Sequence, residues 1–194
     1  MRSFSNSFGV VLLSHEKRAV WQRPQPTGHE VFFGENEIIV SKTDTKGIIR
    51  YANQVFIRIS GYSESELISM PHSILRHPDM PHCVFKLLWD TISSGNEIFA
   101  YVKNMCKNGN HYWVNAHVTP TWNETGQIVG YHSNRRVPCR SAVAEMEQLY
   151  RHLRTVEARH ADGKQGMAAA SQELTQTLKG VGVEYDEFVF SLER

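Results

Sequence analysis

In the run Leu75-Arg76-His77-Pro78-Asp79-Met80-Pro81 a guanidinium, an imidazole and a carboxylate fall within four residues, and two prolines restrict the backbone that carries them. Each proline fixes its own φ and pushes the preceding residue toward extended backbone, so the polar groups form a stiff cluster. Such a rigid polar cluster suits the ligand-facing edge of a domain, because the prolines limit how its side chains can rearrange. A purely local arrangement satisfies the same residues, with Asp79 capping a helix that opens at Pro81 and Arg76 paired to Asp79.

Other chemistries find less support. His72, His77 and His82, three of ten histidines, recur at equal steps of five, a spacing that does not align three imidazoles on one helical face. Pro78 and Pro81 interrupt the region as well, so no metal triad is expected. Cys83, beside His82, falls in helical spacing and reads as a core or surface thiol rather than an activated nucleophile. No Gly-rich phosphate loop, nucleophile elbow or HExxH helix occurs, and catalysis is not expected.

The chain has 194 residues, 41% apolar and 21% charged, which suits one globular domain plus an appendage. Cys83, Cys106 and Cys139 lie far apart and form no CxxC pair, as expected of a reduced, cytoplasmic protein. The longest apolar run, 8–13, is far short of the roughly 20 residues of a membrane span. A net charge of +1, with scattered basic residues, gives no long-range attraction to phosphate backbones, and nucleic acid is not an expected partner.

The elements that must position the cluster are marked by punctuation. Residues 1–33 read as a loosely attached N-terminal arm, with a short helix around 15–21 and a terminal Arg23-Pro24-Gln25-Pro26-Thr27-Gly28 stretch that resists regular structure. Residues 37–42 and 48–51 read as a hairpin around Thr43-Asp44-Thr45-Lys46-Gly47. Val55, Phe56 and Ile59 then step helically to Gly61, and Ser63 with Glu66 announces a second short helix through a capping box. Pro81 opens a longer helix carrying Val84, Phe85, Leu88 and Ile92. Strands over 97–103, 110–121 and 127–135 follow, the first two joined by Asn108-Gly109, which favours a tight turn. The expected domain, 34–138, is therefore α+β: a five-stranded antiparallel sheet with short helices on one face and space for a ligand between them.

Beyond it, 139–160 reads as a flanking amphipathic helix. Its stripe of Val143, Met146, Leu149, Tyr150, Leu153 and Val156 is close to a 3.5-residue repeat and suits either packing on its own domain or a homodimer contact over 141–159. A helical tail completes the chain over 161–194. Ala161-Asp162-Gly163-Lys164-Gln165-Gly166 should break the pattern, a helix is expected over 167–178, and the apolar residues from Tyr185 to Leu192 should dock.

Gly61-Tyr62-Ser63-Glu64-Ser65-Glu66-Leu67, Pro71-His72, Arg76-His77-Pro78-Asp79-Met80-Pro81, Val102-Lys103-Asn104, Lys107-Asn108-Gly109 and His111-Tyr112-Trp113-Val114 together resemble a PAS domain. More narrowly, they are similar to the flavin-binding PAS sensor of bacterial aerotaxis receptors, over roughly 37–153. The resemblance implies noncovalent FAD used as a redox or oxygen-linked sensor, without substrate turnover, signalling to a protein partner through the flanking helix. Carried across residue by residue, it places Arg76, His77 and Asp79 at the cofactor, with Asn53, Phe85 and Asn104 as further pocket residues. The chain departs from the receptors at Ile98 and Phe99, where a Trp is common, and at Met105-Cys106, which replaces a basic pair. Light-sensing flavin PAS domains use an adduct-forming cysteine. Residues 72–76 occupy that region here, and such photochemistry is not expected. Two alternatives stand beside FAD: a haem sensor with His72, His77 or His82 as axial ligand, and a cofactor-free interaction or dimerisation domain.

Overall fold

Asp44 sets the first turn. In a computed structural model that describes residues 23–192, its carboxylate accepts from the backbone N–H of Lys46 and Ile48 at 2.9 and 3.0 Å, and Gly47 takes a φ of +77°. This local bonding joins β1 (Ile39–Asp44) to β2 (Ile49–Ala52). The three later strands, β3 (Ile98–Met105), β4 (His111–Trp122) and β5 (Ile128–Arg136), form the expected meander. The sheet closes when β1 pairs antiparallel with β5, from Ile39 opposite Arg135 to Asp44 opposite Gly130, giving the order β2-β1-β5-β4-β3. The five-stranded antiparallel sheet is as expected.

The short helices cover one face. Helix α1 (Gln54–Ser60) starts where the Asn53 side chain accepts from the Phe56 N–H, and ends at Gly61, whose φ of +73° suits a residue without a Cβ. The Ser63/Glu66 capping box forms as anticipated and opens α2 (Glu64–Leu67). A 3-10 turn, His72–Leu75, leads to α3 (His82–Ser93). Phe56, Leu67, Leu75 and Ile92 from these elements are buried in the core.

The C-terminal segment covers part of the other face. Helix α4 (Arg140–Ala158) buries Val143, Met146, Tyr150, Leu153 and Val156, so the stripe that suited either packing or dimerisation is buried against the chain's own residues. The Tyr150 hydroxyl donates to the Tyr101 carbonyl at 2.6 Å, and its ring stacks on Trp113. Helix α5 (Gly163–Val181) starts four residues before the anticipated 167 because the Asp162 side chain accepts from the Lys164 N–H. Gly166 is no breaker: a Cβ there would overlap the Glu157 carbonyl, so its bare backbone lets α5 cross α4 closely. The apolar tail docks as α6 (Tyr185–Ser191), with Tyr185 and Val189 buried and Phe190 against Phe99 of β3. Covered on both sides, edge strand β3 is buried at every position except the partly covered Phe99.

The described part of the N-terminal arm is tied down rather than loose. Thr27 N–H bonds to the Gly109 carbonyl at 3.0 Å, Val31 N–H to that of His111 at 2.7 Å, and Glu30 receives both Arg140 guanidinium arms at 2.6 and 2.9 Å. The helix expected around 15–21 lies outside the described residues. No helix among the described residues is long and apolar enough to cross a membrane.

Gly109 carries the arm's docking site, with a φ of +88° and no room for a Cβ beside the Gln25 carbonyl oxygen. Gly109→Ala is expected to cost about 2 kcal/mol or more, from left-handed strain plus the overlap. Urea unfolding reads the loss, and hydrogen exchange should show residues 27–31 exchanging faster than in the native protein.

Candidate functional site

Strand alternation turns Tyr131, Ser133 and Arg135 of β5 inward, toward the helices. Between them and α3 lies a cavity of about 400 Å³, bounded by Phe85, Leu88, Trp89 and Ile92 on the helix side. Arg135 is 3% exposed. Its Nη2 donates at 2.6 Å to the Ser41 hydroxyl and at 2.6 Å to Nε2 of His72, while the guanidinium lies over the Phe56 ring at 5.2 Å. Nη1 is buried without a partner, as is the Ser133 hydroxyl. Burial, and then the Arg135 charge, push the His72 imidazole down to about 3, so it is neutral and accepts at Nε2. Burial lowers Arg135 itself to about 10, which leaves it a cation at neutral pH. Among the described residues, no carboxylate lines the cavity.

A second guanidinium reaches the cavity from the 3-10 turn. Arg76 stacks over the Phe85 ring at 3.9 Å, its Nε is buried without a partner, and burial lowers its pKa, with the Arg23 charge adding to the effect. Its backbone pairs with that of Asn104, a buried residue of the cavity wall.

Of the six residues anticipated at a cofactor, Arg76, Phe85 and Asn104 line this cavity, and His77, Asp79 and Asn53 do not. The reason is backbone geometry. Arg76 is extended, so consecutive side chains point to opposite sides, and Arg76 facing in sends His77 out. There His77 meets His111 edge-on at 5.5 Å, and burial, then the Lys103 charge, lower its pKa to about 4. Asp79 binds Lys103 at 2.9 Å and Arg154 at 3.2 Å. It neither pairs with Arg76 nor caps α3, which has no side-chain cap from its own N-terminus. Burial raises the Asp79 carboxyl, but Lys103, His77 and Arg154 together outweigh it and the net shift is downward. Asn53 is structural: besides capping α1 it accepts from Val40 N–H at 3.1 Å and donates to the Ile38 carbonyl at 2.8 Å, tying β1 to α1.

Arg135, Ser41 and Ser133 are not singled out by the sequence motifs, and His72 enters there as part of the Pro71-His72 resemblance and as a metal or haem ligand, not as a partner of Arg135. A signal exists for Arg135, since its alternation with Tyr131 and Ser133 places a cation on the core-facing side of a strand. No cysteine among the described residues lines the cavity. Burial raises the Cys83 thiol to about 12 and the Cys106 thiol to about 11.

Comparison with known proteins agrees with this architecture. The family model of the PAS fold matches residues 49–135. The chain is 38% identical to the aerotaxis receptor of Escherichia coli (strain K12) over 130 residues, which is 67% of this chain and 26% of the receptor. It is 27% identical to the nitrogen fixation regulatory protein of Klebsiella pneumoniae over 121 residues, 62% of this chain and 24% of that protein. The chain thus spans about a quarter of the length of these curated relatives. Among solved structures, the light state of the blue-light photoreceptor Aureochrome1 LOV superposes with a TM-score of 0.50 at 20% identity, over 61% of this chain and 91% of that one, which supports the fold alone. Family match, strand order and the hollow between sheet and short helices converge: the chain carries a PAS domain, a sensory and signal-transduction module related to those of aerotaxis and regulatory proteins.

Proposed function

We propose that the cavity binds FAD noncovalently and that the domain reports redox or oxygen-linked state to a protein partner through its C-terminal helices. One observation carries the reading: Arg135, a buried cation with one N–H left without a partner, stands in the wall of a roughly 400 Å³ hollow that no carboxylate among the described residues lines. A cation taken out of water costs several kcal/mol, and an unmet buried donor costs about 1–3 kcal/mol, so the site favours a ligand with an electron-rich, acceptor-bearing edge. The volume lies in the roughly 300–1,000 Å³ range of small-molecule sites. The aromatic and aliphatic wall from α3 suits a planar ring system, and half-buried Arg76 suits a diphosphate. Bound flavin would supply reversible electron uptake. Arg135 and Asn104, as buried donors, favour whichever redox state holds more negative charge. The three free cysteines fit a cytoplasmic setting.

The haem reading fares worse on geometry. His72 reaches the cavity, but its Nε2 is engaged by a guanidinium, an unfavourable neighbour for a cationic iron. His77 faces His111, and His82 pairs with Glu157 at 3.0 Å at the surface.

Incubation with FAD followed by desalting is expected to leave a two-band yellow chromophore that dithionite bleaches. Arg135→Ala and Arg76→Ala should each lower retention by about tenfold or more, and Cys83→Ser should leave it unchanged. A Soret band in the purified protein would favour haem, and full retention in Arg135→Ala would overturn the assignment.

Acid should weaken the fold through the same groups. His72 and His77 have folded pKa values of about 3 and 4, below the ordinary imidazole value of 6.5, so the unfolded chain binds their protons first. Their contribution is complete above about pH 6.5 and is lost as pH falls toward 4 and 3, because each tenfold weaker proton affinity in the folded state corresponds to about 1.4 kcal/mol. The urea midpoint is expected to drop between pH 7 and pH 4. His72→Gln, which keeps an acceptor for Arg135, should flatten that drop.

A further inference from the structure

Helix α3 supplies the cavity wall, yet its N-terminus is capped from another helix. Pro81 stands at the cap position with no side-chain bond, which leaves first-turn N–H groups to be met elsewhere. Glu157, near the end of α4, meets one. Its Oε1 accepts from the Cys83 N–H at 2.9 Å, and its Oε2 pairs with Nδ1 of His82 at 3.0 Å. The Glu157 side chain is only 12% exposed, and Gly166 of α5 presses on its backbone carbonyl, so the carboxylate is held in place. About one turn earlier on α4, Arg154 binds Asp79 at 3.2 Å, and Asp79 also takes the buried Lys103 ammonium at 2.9 Å. Helix α4 therefore grips the segment 79–83 at two points.

The other end of that segment is the cavity. Arg76 stacks on Phe85, one turn into α3, and its backbone is bridged to Asn104. Between the ends the chain has little slack. Pro78 and Pro81 restrict φ, the Asp79 N–H bonds to Nδ1 of His77 at 3.1 Å, and the Met80 N–H bonds to the His77 carbonyl at 3.1 Å. We infer that residues 76–83 form a rigid link by which α4 is coupled to the occupancy of the cavity, with Arg76 as the cavity-side contact and Asp79–Arg154 and Cys83–Glu157 as the output-side contacts. The stiffness that marked this motif then serves transmission as well as recognition. Coupling of this kind is reciprocal, so loosening either end loosens the other. The ligand that acts on the link rests on the reading of the cavity given above, whereas the link itself is a property of the fold.

A second path exists through Tyr150 on the sheet, and the test separates the two. Hydrogen exchange is measured on the full chain, with and without FAD, and flavin absorbance is recorded on the same samples. Arg76→Ala should speed exchange of residues 153–158 by about tenfold although it lies on the cavity side. The paired change Arg154→Ala and Glu157→Ala should speed residues 83–89 by a similar factor and remove the effect of Arg76→Ala on α4. Should Arg76→Ala fail to fold, Arg76→Lys, which keeps the charge and loses the planar stack, takes its place. The link is overturned if the cavity-side variant leaves 153–158 within about twofold of the native rate, or if its effect persists undiminished in the doubly substituted background. Absence of flavin absorbance would end the FAD reading alone, because the exchange comparison is decided on ligand-free protein.

Discussion

Arg135 is taken out of water with no carboxylate among the described residues to meet it, and a chain tolerates that only where other terms offset the desolvation. Ser41 from β1 and His72 from the 3-10 turn accept its N–H groups, and Phe56 from α1 lies under its plane. Two cavity-lining elements, β1 and the 3-10 turn, and the neighbouring helix α1 are therefore positioned by one cation. The imidazole must stay neutral to act as acceptor, and burial beside a positive charge ensures it does. Because these contacts leave Nη1 unmet, the same arrangement that organises the walls also polarises the space between them toward an electron-rich occupant.

The opposite side of the sheet is governed by a different need. Strand β3 is an edge, and its outer backbone and side chains are covered by α4 and α6 rather than left to solvent. That cover brings α4 close enough to reach around the edge and hold the start of α3 through Glu157. Cavity wall and C-terminal helix are thus parts of one packed unit, in contact through the segment where the polar motif lies.

Much of this architecture is legible in local chemistry. Asn108-Gly109, the Ser63/Glu66 capping box and the stripe along α4 each correspond to a formed turn, cap or buried face, because backbone hydrogen bonding and side-chain period act over a few residues. Glycines are harder. Gly163 and Gly166 read as breakers from propensity, yet Gly163 opens α5 and Gly166 lies within it, where the close approach of Gly166 to Glu157 outweighs the propensity cost.

The candidate site divides along the same line. Residue types and order alone determined that a five-stranded antiparallel sheet with short helices would form and that Arg76, Phe85 and Asn104 would stand near its hollow, since these follow from periodicity, turn residues and family resemblance. Only tertiary structure decided that His77 and Asp79 face away, that Asn53 is spent on the backbone, and that Arg135, 59 positions beyond Arg76, shares their cavity. The physical reason is that extended backbone splits neighbours between two faces, while the pairing of β1 with β5 joins residues whose proximity no local spacing encodes.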